Sequence, residues 1–255
     1  MKSVWLYLVL LCIMFLCSTT ASTAQAQNVV FTSSESQTTL IELFTSEGCS
    51  SCPPADRWMS GLKNDARLWK EIIPLAFHVD YWNDLGWSDP LSKPDYSQRQ
   101  RDYAKKGYAR SVYTPGFFTN GHEWRSWFRK PALGNSPALK TGTLSVNIDQ
   151  QSLTAHYQAT SPAAEPLLLH VAVLGFDISS SVTRGENSGK TLTHDFVVLA
   201  WHTQNDQRAD HRWQLNRDAL GLSQEHARAI AVWVSATNDP TPLQATGGWL
   251  KSSDK

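Results

Sequence analysis

Residues 38–58 read TTLIELFTSEGCSSCPPADRW, and the rest of the chain is best read outward from them. Thr38 to Thr45 is an apolar run of strand length with a β-branched start, which predicts a buried strand. Ser46 to Pro54 is a turn rich in Gly, Ser, Cys and Pro. A helix is predicted from about Pro53 to Leu62, with Trp58, Met59 and Leu62 at helical spacing. Proline is accommodated in a first turn because the N–H it lacks has no partner there anyway. Ile72 to Val79 (IIPLAFHV) is a second apolar strand. Strand, helix, strand predicts a right-handed crossover and parallel pairing.

Cysteine usage points to chemistry rather than to a staple. The chain has four cysteines, and Cys12 and Cys17 fall in a segment with the marks of a secretory leader. That segment has Lys2 at its start, an apolar run from Val4 to Cys17 and a small-x-small cleavage signal at Ala24-Gln25-Ala26. The run is short for a membrane span, so contact with a membrane is expected only through an uncleaved leader. Residues 1–26 are therefore read as a signal peptide and the protein as exported, periplasmic or secreted, with only Cys49 and Cys52 in the processed chain. A disulfide stabilises by closing a long loop in the unfolded chain. A two-residue spacer closes almost nothing, so reactivity is the better reason for the pair. A cysteine just ahead of a helix meets unpaired N–H groups and the positive end of the helix dipole, which favour the thiolate. Cys49 is read as the attacking sulfur and Cys52 as the resolving one.

Other classes find little support. Acidic and basic residues balance at 23 each and no basic run exceeds two residues, which argues against a nucleic-acid partner. No Gly-x-Ser-x-Gly elbow or phosphate loop is present. No cofactor is expected. The expected partners are protein or small-molecule thiols and disulfides, with a redox partner that the sequence does not specify.

Further along, Tyr81 to Tyr96 (YWNDLGWSDPLSKPDY) reads as an aromatic excursion. Trp82, Trp87 and Tyr96 either wall a substrate site beside the cysteines or pack the excursion onto the domain. A polar surface helix is predicted over Ser97 to Lys106. Thr114-Pro115 then leads into a strand that turns at Asn120-Gly121, a strong hairpin signal, into a second strand over Glu123 to Phe128. A linker is expected from about Lys130 to Lys140. Beyond it, strands over Thr143–Ile148, Leu153–Ala159, Leu167–Asp177, Leu192–His202 and Ala227–Ser235 suggest an antiparallel sandwich.

The order strand, CxxC, helix, strand, polar helix, Thr-Pro and hairpin resembles a thioredoxin fold. That resemblance implies a cis Pro115 against the cysteine pair and a Thr114 whose backbone meets an extended substrate. More narrowly, Glu42 to Asp56, His78 to Pro90 (HVDYWNDLGWSDP), Tyr113-Thr114-Pro115 and Arg184 to Lys190 (RGENSGK) resemble the secreted domain-of-unknown-function family 1223. This implies an exported thioredoxin-like protein without an agreed substrate. The expected fold is thus an α/β thioredoxin-like domain over residues 38–130, a mixed sheet with flanking helices, followed by a mostly antiparallel β-sandwich-like domain over 141–255.

The buried acid of thioredoxins falls here on Leu43, and Glu42 beside it points to the opposite face of the strand. His78 and Asp80, at the carboxyl end of the neighbouring strand, are the candidate acid–base groups, or else a core histidine and a turn-former. Cys49, Cys52 and His78 also make a soft ligand set for Cu(I), the alternative to redox exchange. A non-catalytic binding module is the third reading. The Arg184–Lys190 loop reads as a turn or an interdomain contact. His156, His170, His194 and His202 lie on strands as packing or surface groups, with His194 alone close to that loop in sequence.

Overall fold

The computed structural model describes residues 28–129, 132–134, 138–161, 166–206 and 210–250; the leader and parts of the predicted linker lie outside these. After a short strand β1 (Val29–Thr32), the apolar run forms β2 (Thr39–Thr45), buried on both faces. Helix α1 (Pro53–Gly61) follows with two prolines in its first turn, and strand β3 (Ile72–His78) lies parallel to β2 in register Thr45↔His78. Helix α2 (Pro94–Lys105) begins at Pro94 rather than Ser97, and it is more than a surface helix: Tyr96, Arg99 and Tyr103 are buried. Strands β4 (Gly116–Thr119) and β5 (His122–Glu123) make the predicted hairpin, although β5 stops well short of Phe128. Asn120 and Gly121 both take positive φ (46° and 79°), the requirement of the two-residue turn. A Cβ on Gly121 would also collide with the Thr241 side chain.

The remaining strands are β6 (Gly142–Ile148), β7 (Ser152–Ala159), β8 (Leu167–Gly175), β9 (Ile178–Ser181), β10 (Thr191–His194), β11 (Val197–Asn205), β12 (Arg212–Asn216), β13 (Ala227–Ala236) and β14 (Asp239–Trp249). The strand expected over Leu192–His202 is broken at Phe196, whose φ is 58°. β10 turns away there to pair with β9, while β11 enters the main sheet.

These pairings overturn the expected fold class. The described residues form fourteen strands and only two α-helices; the chain is mostly β, not an α/β thioredoxin-like fold followed by a sandwich. The main sheet has eight strands in the order β14-β13-β8-β11-β3-β2-β4-β5. Parallel contacts join β2 to β3 and β3 to β11; the other neighbours are antiparallel. The physical reason is the edge of β3. All seven of its residues are buried, and such an edge needs a partner strand, which β11 supplies through Val197↔Ala76.

A second sheet, β1-β6-β7-β12, covers the far half of the main one. Alternation along β13 shows how the layers divide. Ile230, Val232 and Val234 face the second sheet, while Ala229, Ala231 and Trp233 face the core beneath α1 and α2, as period-two side-chain placement requires. On that helical side Arg99 is buried. Its Nε donates to Glu42 Oε1 at 2.5 Å, and its guanidinium lies over Tyr103, Trp233, Trp201 and Phe77 at 5.1–5.7 Å. Glu42 therefore serves a structural ion pair under α2.

Candidate functional site

The turn after β2 brings Cys49 and Cys52 into a disulfide at the N-terminal end of α1. Cys52 is the helix N-cap and already has helical backbone angles (φ −77°, ψ −36°), despite the proline that follows it. Both cysteines are fully buried, whereas Ser50 and Ser51 between them are exposed. The Ser51 hydroxyl lies 3.3 Å from Cys49 Sγ. The Thr114–Pro115 bond is cis, as expected.

The seal over the sulfurs comes from far along the chain. The Arg184–Lys190 loop joins β9 to β10 and folds back over the cysteine turn. Asn187 is fully buried. Its amide donates to Glu47 O at 2.8 Å and Cys49 O at 2.9 Å, and its Oδ1 accepts from Lys190 Nζ at 2.9 Å. Glu186 accepts the Ser50 N–H at 3.0 Å, and the Ser50 hydroxyl and N–H together lower the Glu186 pKa. Gly185 and Gly86 meet closely enough that a Cβ on Gly86 would lie 3.3 Å from Gly185 Cα. The loop also keeps local turn bonds, Ser188 N–H to Gly185 O at 3.2 Å and Lys190 N–H to Asn187 O at 3.1 Å, so it is both a turn and a long-range contact.

Beneath the turn lies a buried group of five ionisable side chains. His78 Nδ1 and Asp89 Oδ2 are 2.7 Å apart, and the same Asp89 oxygen accepts the Glu47 N–H at 2.9 Å. His194 Nε2 approaches Glu47 Oε1 to 3.3 Å and His194 Nδ1 approaches Asp56 Oδ2 to 3.9 Å, neither aligned as a hydrogen bond. The His78 and His194 rings meet edge to face at 4.8 Å. Thr45 donates to Asp56 Oδ1 at 2.8 Å.

Burial opposes charge on His78, Asp89, Glu47 and Asp56, and the balance with their neighbours sets the direction of each shift. For His78 burial is outweighed by Asp89, and its pKa is raised. Asp89 is lowered in turn, burial again being outweighed, here by His78. Glu47 is also lowered: burial raises it, but the close His194 imidazole together with Ser180 and Trp87 outweighs that penalty. Asp56 is raised, because there burial dominates the two histidines. His78 Nε2, Glu47 Oε1 and both His194 nitrogens are buried without a hydrogen-bond partner, an arrangement that native cores rarely leave without a role.

The sequence-derived candidates divide among these places. His78 joins the cluster. Asp80 does not: its N–H donates to the Ser97 hydroxyl oxygen at 3.0 Å, and that hydroxyl donates to the Asp80 carboxylate, which ties the loop to α2. Trp82 packs against Gly48 and donates to Thr114 Oγ1 at 2.8 Å, and Trp87 donates to Glu47 Oε2 at 2.7 Å. Tyr96 is buried with its hydroxyl on Val198 O. The tryptophans thus brace the cysteine turn. Among the described residues no three His, Cys, Asp or Glu side chains are arranged to hold a metal ion, so Cys49, Cys52 and His78 do not converge as a ligand set. Asp56, Asp89, Glu47 and Asn187 were not singled out from the sequence. Asp56 carried one usable signal, its position four residues after Cys52 on the same helix face.

A family model described as a protein of unknown function (DUF1223) matches residues 40–235. No curated protein is significantly similar in sequence. Among solved structures, protein AGR_C_4864 from Agrobacterium tumefaciens is similar at a TM-score of 0.58 with 20% identity, over 88% of this chain and 98% of that one. HBP35 of Porphyromonas gingivalis is similar at 0.54 with 13% identity, over 86% and 77%. At these identities the likeness is one of fold.

Two outcomes are expected from this geometry. Asn187→Ala removes the buried amide that bonds Glu47 O and Cys49 O, a loss of about 1–3 kcal/mol, so reduction of the disulfide by a small phosphine should accelerate about tenfold; an unchanged rate would show that the loop does not seal the pair. Because the folded pKa of His78 is raised, its stabilisation is complete below the ordinary histidine value near 6.5 and fades as pH rises through the folded value. His78→Asn should therefore lower the urea midpoint most at pH 5.5, with a loss of about 3 kcal/mol, and least at pH 9.

Proposed function

We propose that this chain, which belongs to the DUF1223 family, is an exported thiol–disulfide exchange protein acting through Cys49 and Cys52. The observation that carries the reading is a disulfide across a two-residue spacer at a helix N-terminus, where it adds little stability and where a thiolate is favoured. In the reduced form the Cys49 thiolate attacks a substrate disulfide and expels one substrate thiolate. The Cys52 thiolate then attacks Cys49 Sγ in the mixed disulfide. The second substrate thiolate leaves and the Cys49–Cys52 bond closes. Two electrons pass from the pair to the substrate, and the reverse sequence oxidises a substrate dithiol.

The buried cluster suits the proton traffic that these steps need. Asp56 sits one helical turn beyond Cys52, and its raised pKa lets it take the Cys52 proton in one direction and return it in the other. His194 lies between Asp56 and Glu47, and Glu47 belongs to the turn that carries Cys49. Both sulfurs are sealed in the disulfide form, so exchange begins with displacement of the Asn187 loop.

Equilibrating the processed protein in glutathione buffers of graded potential, then alkylating and weighing it, tests the reading. A reversible two-electron midpoint is expected, absent in Cys49→Ser. A pair that stays oxidised at every ratio would contradict it.

A further inference from the structure

A groove of about 590 Å³ begins at the cysteine turn. Ser51 forms one end, and Tyr113, Pro115, Trp127 and Phe128 form its walls. Since the Ser51 hydroxyl lies 3.3 Å from Cys49 Sγ, a molecule seated there lies against the residue next to the buried pair. The floor is firm, for Trp127 packs on buried Phe117 at 5.0 Å between ring centroids. The rim is open, with Phe128 61% exposed.

The charges on this groove have one sign. Its two charged lining residues are Arg125 and Arg129. The Arg125 guanidinium lies over the Tyr113 ring at 4.9 Å and donates through Nε to Glu123 Oε2 at 2.8 Å. That bond leaves both Nη groups, the pair suited to a carboxylate fork. Arg129 lies over Phe128 at 5.3 Å and forms no ion pair among the described residues. Guanidinium groups set over aromatic rings keep their donors available for an anion. The volume falls in the range of small-ligand sites. The open rim and exposed Phe128, however, supply more apolar surface than a compact anion would cover.

We propose that this groove binds an extended polypeptide segment that carries an acidic residue beside an aromatic or aliphatic one, and so presents that segment's cysteine to Cys49. The consequence for exchange rests on the function proposed above; the binding does not. The test therefore uses cysteine-free peptides on the oxidised, processed protein, followed by Trp fluorescence. Three dodecapeptides are compared: one with Glu and Phe, one with Lys replacing Glu, and one with Ala replacing Phe.

The Glu/Phe peptide should bind at least about tenfold more tightly than either control, in line with the effect of complementary charge. Arg125→Ala/Arg129→Ala should erase the Glu-over-Lys preference while the Phe-over-Ala preference and the thermal melt persist. Equal affinity for the Glu and Lys peptides would overturn the proposal, as would a preference that survives in the double variant. Tighter binding of glutathione disulfide than of the Glu/Phe peptide would also overturn the polypeptide assignment. Selective peptide binding by a protein whose cysteines do not exchange would sink the redox reading alone. Exchange without peptide selectivity would sink the groove alone.

Discussion

One carboxylate, that of Asp89, joins the parts of this structure that matter for its chemistry. Its Oδ2 meets both His78 at the end of β3 and the Glu47 N–H in the cysteine turn, and its Oδ1 accepts the Leu91 N–H of its own loop. A buried carboxylate persists as an anion only with such partners, and each partner belongs to a different segment. The aromatic excursion from Tyr81 to Tyr96 is thereby pinned under the turn. Its tryptophans then reach Thr114 and Glu47, so the segment with the cis bond ahead of β4 and the turn carrying the cysteines are held by the same loop.

The main sheet extends that logic across the chain. β11 completes the edge of β3, and just before it the β9–β10 hairpin turns out and returns over the cysteines. Residues 184–194 thus bring both the seal, Asn187, and a cluster member, His194. On the proposed function, a buried disulfide above a buried ionisable cluster reacts only once the loop moves, and local openings of this kind are drawn from the less stable parts of a fold.

Much of this was legible in local sequence. The β2–α1–β3 unit follows from its apolar runs and its prolines, the β4–β5 turn from Asn120-Gly121, and the pairing of Cys49 with Cys52 from their isolation. The fold class was not. β14 reads DPTPLQATGGW, and two prolines with two glycines hide a strand whose partner β13 supplies the order. Phe196 gives no local sign that its backbone will break one strand into two. The sheet order itself depends on β3 finding β11 more than a hundred residues away. The site divides in the same way: Cys49, Cys52 and His78 sit in recognisable positions, whereas Asn187 acquires its role only through bonds to Glu47 and Cys49 across about 140 residues.

The central claim is that Cys49 and Cys52 exchange disulfides in unequal roles, Cys49 bonding to the substrate and Cys52 releasing it. Mass spectrometry of reduced Cys52→Ser and Cys49→Ser proteins, each incubated with a model protein containing one disulfide, tests this directly. A mixed disulfide through Cys49 should accumulate in Cys52→Ser, with little adduct in Cys49→Ser. Absence of adduct in both, or equal adducts in the two, would contradict the account.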